Sequence, residues 1–150
     1  MTPGPDALRS IVQANQYLTL ATADADGIPW ASPVWFATAD CREFLWVSSP
    51  EARHSRNLIV RPEVAIVVFD SRQRPGEGRG VYVAARAAEV ADGELECALG
   101  IYSGVSVARG AHAWERSDIT SPARLRLYRA VAQEHFVLDA LDKRVRVQLG

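Results

Sequence analysis

Lysine is nearly missing from this chain: of 17 basic residues, Lys143 is the only lysine and the rest are arginine. Any anion the protein holds must therefore meet arginine, histidine, hydroxyl or backbone N–H groups. Cysteine is scarce too. Of the two, Cys41 sits in a polar Asp40-Cys41-Arg42 turn and Cys97 in a helical pattern, without C-x-x-C spacing. That excludes a disulfide scaffold and makes both reduced, structural residues. His54, His112 and His135 are scattered, with no second ligand at metal spacing, so no metal site is expected. No apolar run approaches the roughly 20 residues of a membrane span. Met1 to Asp6 lacks the basic start and apolar stretch of a secretory signal. A formal net charge of -1 excludes nucleic-acid binding by bulk positive charge. The expectation is a soluble, cytoplasmic protein that binds neither membrane nor nucleic acid.

What is present is an ordinary globular composition, 48% hydrophobic and 23% charged over 150 residues. A chain of this length buries roughly 68–70% of its unfolded surface in one core. No repeat, low-complexity tract or linker interrupts it, so residues 1–150 read as one domain. Leu8, Ile11, Val12 and Asn15 recur at helical spacing within Asp6 to Gln16. Tyr17 to Thr22 reads as a strand closed by the Asp26-Gly27 turn. Ile28 to Ala37 and Glu43 to Ser48 complete an antiparallel meander. The middle strand carries Pro29 and Pro33, each of which removes a ladder donor. It must lie at a sheet edge or face a ligand or partner chain.

Ser48-Ser49-Pro50-Glu51 has the composition of a helix start, with a serine cap and a proline in the first turn. The helix then runs through Leu58 and stops before Pro62. Glu63 to Phe69 is continuously apolar and β-branched, and Gly80 to Val90 reads as another strand. A second helix spans Asp92 to Tyr102 with Asp92 as its cap, and Ser106 to Ser121 has no clear period. Two strands, Arg124 to Val131 and Phe136 to Asp139, and a last one around Val145 to Leu149 close the chain. Six or more antiparallel strands with two or three helices make an α+β, mostly β fold, most simply a small barrel.

The chemistry concentrates between Ser48 and Asn57. A helix start presents unpaired N–H groups and a positive dipole end. Here Ser48, Ser49 and Ser55 add hydroxyls, and Arg53, His54 and Arg56 add basic groups, with Asn57 beside them. Such a set suits a phosphate, and an ordinary capped surface helix reads the same way. The loop Arg72-Gln73-Arg74-Pro75-Gly76-Glu77-Gly78-Arg79 adds arginines but matches no phosphate-binding fingerprint. No Ser-His-Asp or Cys-His set and no apolar acid pair stands out. An enzyme built on this chain would need a cofactor to carry the chemistry.

In order and spacing these segments resemble the pyridoxamine 5'-phosphate oxidase-like, flavin-binding split-barrel family. The matching pieces are Tyr17-Leu18-Thr19-Leu20-Ala21-Thr22, then Asp26-Gly27-Ile28-Pro29-Trp30-Ala31-Ser32-Pro33-Val34-Trp35-Phe36. Trp46-Val47-Ser48-Ser49, Arg53-His54-Ser55-Arg56-Asn57-Leu58, Arg61-Pro62-Glu63-Val64-Ala65 and the strand from Gly80 to Ala87 follow, and Leu127 to Ala130 and Val137 to Asp139 match the closing strands. The resemblance implies a six-stranded antiparallel split β-barrel with flanking helices. It also implies a homodimer with FMN at the interface and an oxidoreductase acting on a small molecule. Carried over, Trp30, Ala31, Ser32, Pro33 and Val34 would run along the isoalloxazine ring. Ser48, Ser49, Arg53, His54, Ser55, Arg56 and Asn57 would hold the phosphate. Many relatives have lysine where this chain has His54. The pyridoxal-type substrate signatures are not matched, so the implied oxidoreductase is not a pyridoxamine phosphate oxidase itself. Two alternatives share the fold. One is a reductase using the deazaflavin coenzyme F420, its acidic tail held by Arg72, Arg74 and Arg79. The other is a non-catalytic protein that stores or senses flavin or haem.

Overall fold

Seven antiparallel strands and three helices emerge from this pattern in the computed structural model, which describes residues 3–150. Met1 and Thr2, the start of the segment read for a secretory signal, lie outside the described residues. Helix α1 is Pro5–Gln13 and turns Ala7, Leu8, Ile11 and Val12 inward. Strand β1, Tyr17–Ala23, joins β2, Pro29–Trp35, through the expected tight turn, where Gly27 takes the left-handed φ of 83°. Strand β3 is Glu43–Ser48, helix α2 is Arg53–Val60 and strand β4 is Glu63–Phe69. Strand β5 is Gly80–Glu89, helix α3 is Leu95–Ala108, β6 is Arg126–Leu138 and β7 is Arg144–Val147.

The main sheet runs β2-β1-β4-β5-β6-β3, with β7 added on β6. The expected six-stranded path is therefore present, and a seventh strand extends it. Strand β2 is a terminal strand of that path, so Pro29 and Pro33 lie where a missing N–H costs no ladder bond. The sheet curls until β2 comes round to β3, and Ala37 and Leu45 exchange two backbone hydrogen bonds of 2.9 and 2.8 Å across the seam. Inside the curl lies the main core, from Leu18, Leu20 and Val34 through Phe44, Trp46, Ile66, Val68 and Val81 to Val137. A second apolar cluster fills the space between α3 and the outer side of β3, joining Leu95, Leu99 and Tyr102 to Leu45 and Leu127.

Three sequence expectations need correction. Helix α2 does not start at Ser48: its cap position is Ala52, without a side-chain cap bond, and Ser48 still belongs to β3. The β3 pairing with β6 extends to Ser48↔Arg126, and that pairing holds the serine in the sheet. Residues 124–131 and 136–139 are not two strands joined by a turn but parts of one long β6. Its ladder with β5 shifts register at Ala84/Ala85 and continues. Helix α3 begins at Leu95 behind a short 3-10 turn and runs on to Ala108, because Val105 and Ser106 are still covered in part or fully.

Candidate functional site

The segment between β3 and α2 folds over one end of the β1–β2 hairpin. At its centre Asn57, buried on α2, donates from Nδ2 to Thr22 Oγ1 at 3.0 Å, and that hydroxyl lies 3.5 Å from the Trp30 carbonyl. Arg61, just past the helix, donates to the carbonyls of Asp24 and Ala25 at 2.6 and 3.1 Å. The turn and the helix are thus tied together by Asn57 on α2 and by Arg61 just before Pro62. Ser49 Oγ accepts the Glu51 N–H at 3.1 Å, and Ala52 N–H donates to the Ser49 carbonyl. This small turn, in place of a helical cap, sets the direction in which α2 leaves the sheet.

Onto this frame the chain places the basic groups. His54 Nε2 lies 2.9 Å from Ser48 Oγ, and its burial pushes the imidazole pKa below the usual 6.5. The ring is therefore mainly neutral near pH 7. Arg53 lays its guanidinium over the Trp30 ring, 4.3 Å from the centroid. Neither Arg53 nor Arg56 has a carboxylate partner among the described residues. Arg86, Arg116 and Arg129, by contrast, are matched to Glu63, to Asp92 and Glu96, and to Glu94. Ser55 is 1% exposed, and its hydroxyl has no hydrogen bond of good geometry. It faces the Tyr128 phenol, whose pKa is raised chiefly by burial and held back by that hydroxyl. Trp46 stacks on Tyr128 at 6.1 Å, and its indole N–H is also buried without a partner.

The residues named from the sequence divide in the structure. Ser48 and Ser49 precede α2, and Arg53, His54, Ser55, Arg56 and Asn57 lie on its first turns. Their side chains part: His54 turns to Ser48, Arg53 to Trp30, Asn57 to Thr22 and Ser55 to Tyr128, while Arg56 stays exposed. The β2 residues split by alternation. Trp30, opposite Thr22, turns toward α2, and Ser32 and Val34 follow it on the inner side, with Val34 in the core. Ala31 and Pro33 point outward. The register then reveals what no single segment announced: Ala31, Ala21, Ala65 and Ala84 stand abreast on four neighbouring strands. Beside them run Pro33, Thr19, Val67 and Tyr82. No helix covers this outer face, since α3 lies over β3. Arg72, Arg74 and Arg79 follow β4 whereas α2 precedes it. The seven residues of β4 separate the two ends by roughly 20 Å. Within one chain the loop arginines do not join the α2 cluster.

Thr22 and Arg61 were missed by the sequence reading. Thr22 sits in register with the inward Leu18 and Leu20, so a hydroxyl at that place already signals a buried partner. Arg61 carries no such signal. Among the described residues no group of three or more His, Cys, Asp or Glu could hold a metal ion, and no helix is long and apolar enough to cross a membrane.

A family model described as pyridoxamine 5'-phosphate oxidase matches residues 5–137. The chain belongs to the pyridoxamine 5'-phosphate oxidase family. No curated protein sequence matches it. Among solved structures, a haem-binding protein from Mycobacterium smegmatis is similar with a TM-score of 0.74 at 20% identity, over 95% of this chain and 56% of that one. This chain therefore spans little more than half the length of that protein. HutZ, the haem storage protein of Vibrio cholerae, has a TM-score of 0.68 at 25% identity, covering 88% and 92% of the two chains. An FAD-binding protein from Mesorhizobium loti has a TM-score of 0.66 at 19% identity, covering 87% and 90%. At 19% and 20% identity the likeness is one of fold. These neighbours of the family fold thus include both flavin-binding and haem-binding proteins.

Proposed function

We propose that the protein binds FMN between two copies of the chain and serves as a flavin-dependent oxidoreductase for a small-molecule substrate. The observation that carries this reading is the pair of arginines without carboxylate partners at the start of α2, close in sequence to the hydroxyls of Ser48, Ser49 and Ser55. A phosphate would supply the anionic partner that these two guanidinium groups lack. Ser48, Ser49, Arg53 and Arg56 would hold the phosphate. His54 would join them once protonated, and the buried Ser55 hydroxyl supplies one more unused polar atom. Bound there, FMN would supply hydride and electron transfer, while the chain orients it and excludes water. The uncovered face, with alanines abreast over about 14 Å, offers a row of small side chains onto which a second copy can close. A cytoplasmic setting belongs to the same reading, because both cysteines are free thiols.

In the deazaflavin alternative the acidic tail would have to meet Arg72, Arg74 and Arg79 of a second copy, because within one chain they stand at the far end of β4. The haem alternative lacks an obvious iron ligand. His54 is engaged by Ser48, and the buried His135 lies 2.6 Å from the Cys41 carbonyl. His112 is exposed but stacks on Trp114, outside the α2 region. The test is the visible spectrum of the purified protein, followed by titration with FMN, the deazaflavin and haemin. Flavin bands or tight FMN binding are expected. Saturable binding of haemin with no response to either flavin overturns the reading.

A further inference from the structure

Resting on the FMN reading, and going one step beyond it, we infer that Arg53 selects for a phosphorylated ring by guarding the Trp30 face. Trp30 is 42% exposed at the start of an edge strand, and the Arg53 guanidinium covers one face of its indole at 4.3 Å. That contact holds the guanidinium weakly. A cation–π stack at an exposed site is a small attraction, and Arg53 has no carboxylate partner among the described residues. The same guanidinium begins α2, one residue from His54 and three from Arg56, in the group that suits a phosphate. It therefore has two alternative partners, the indole and an anion, and the anion forms charge-assisted bonds that the indole cannot.

The selection follows from that competition. A planar molecule without a phosphate must displace the guanidinium from Trp30 and offers it nothing in return. A phosphorylated one draws Arg53 away and clears the indole face in the same event. The indole is held for this purpose by its own strand, because Trp30 pairs with Thr22, which Asn57 fixes from α2. Arg53 is thus a specificity-determining residue.

The test compares FMN with riboflavin on the wild-type chain and on Arg53→Gln. FMN should weaken about tenfold or more on Arg53→Gln, the scale of a lost charge-assisted bond. Riboflavin should instead tighten about two- to fivefold, the scale of the relieved stack. Arg53→Lys keeps the charge without the planar stack, and should hold FMN near the wild-type affinity while also admitting riboflavin. Equal weakening of both ligands by Arg53→Gln, or no change for riboflavin, overturns the inference and leaves the FMN reading intact. A second measurement needs no flavin. Inorganic phosphate should raise the acrylamide quenching of Trp30, read as wild type minus Trp30→Phe, and should have no effect in Arg53→Gln. If the wild type binds neither flavin, the FMN reading fails and this response alone decides: its presence supports the guard, its absence overturns it.

Discussion

His54 stands between two arginines, but unlike them it must be protonated before it attracts an anion. Its pKa is lowered by burial, so drawing His54 onto a phosphate takes up a proton. FMN affinity should therefore rise as pH falls from 8 toward 6.5, and His54→Lys should flatten that slope; titrations at several pH values read both. The same shift has a consequence for stability. Burial favours the neutral ring, so its contribution is complete above the unfolded pKa near 6.5 and is lost as pH falls below it. Thermal melts should show the wild type losing more stability than His54→Gln between pH 7.5 and 5. Ser55 separates binding from folding. Its buried hydroxyl lacks a good partner, so Ser55→Ala should leave urea stability unchanged or raise it by up to about 1 kcal/mol. The same change should weaken FMN binding, and a loss of stability without a loss of affinity would mean the hydroxyl is structural.

Helix α2 owes its place to a few side-chain ties more than to helical propensity. It has no side-chain cap, and eight residues are too few to be helical alone. The Asn57–Thr22 bond and the Arg61 contacts fix its angle to the β1–β2 hairpin. Asn57→Ala strands the Thr22 hydroxyl in a buried place and should cost about 1–3 kcal/mol in chemical denaturation. This is also where the sequence misled. Ser48, Ser49 and Pro50 have the composition of a helix start, but they form the end of β3 and a turn before α2. The ladder partner Arg126 keeps Ser48 in β3, and that pairing comes from residues far along the chain. The strands were far easier to read. The Asp26-Gly27 turn and the β-branched run in β4 are local signals, and both appear where expected. The prolines of β2 announced an edge for the same reason. The break read near residue 132 was wrong because a register shift within a ladder leaves the same polar interruption as a turn.

At the scale of the whole molecule, the family fold was legible from motif order, while the alanine row became visible only when the register was known. Side chains that small matter through what they allow. Four strands present a row with little side-chain relief, and a second surface can approach it closely. Ala65→Glu places a charge at its middle, with Ala21 and Ala84 on either side. The variant should stay folded, since Ala65 lies outside the core, yet it should sediment as a monomer and lose FMN binding. A folded dimer with undiminished affinity would exclude this face as the interface.

The scarcity of lysine has a practical side. Lys143 lies exposed in the turn between β6 and β7, at the end of the sheet opposite α2. Amine-reactive dyes, cross-linkers and chip surfaces therefore find one lysine side chain, away from the arginines and the indole discussed above. A chain labelled or tethered there keeps its α2 end untouched. Two populations carrying donor and acceptor dyes at that position would report subunit exchange by energy transfer without altering a single residue.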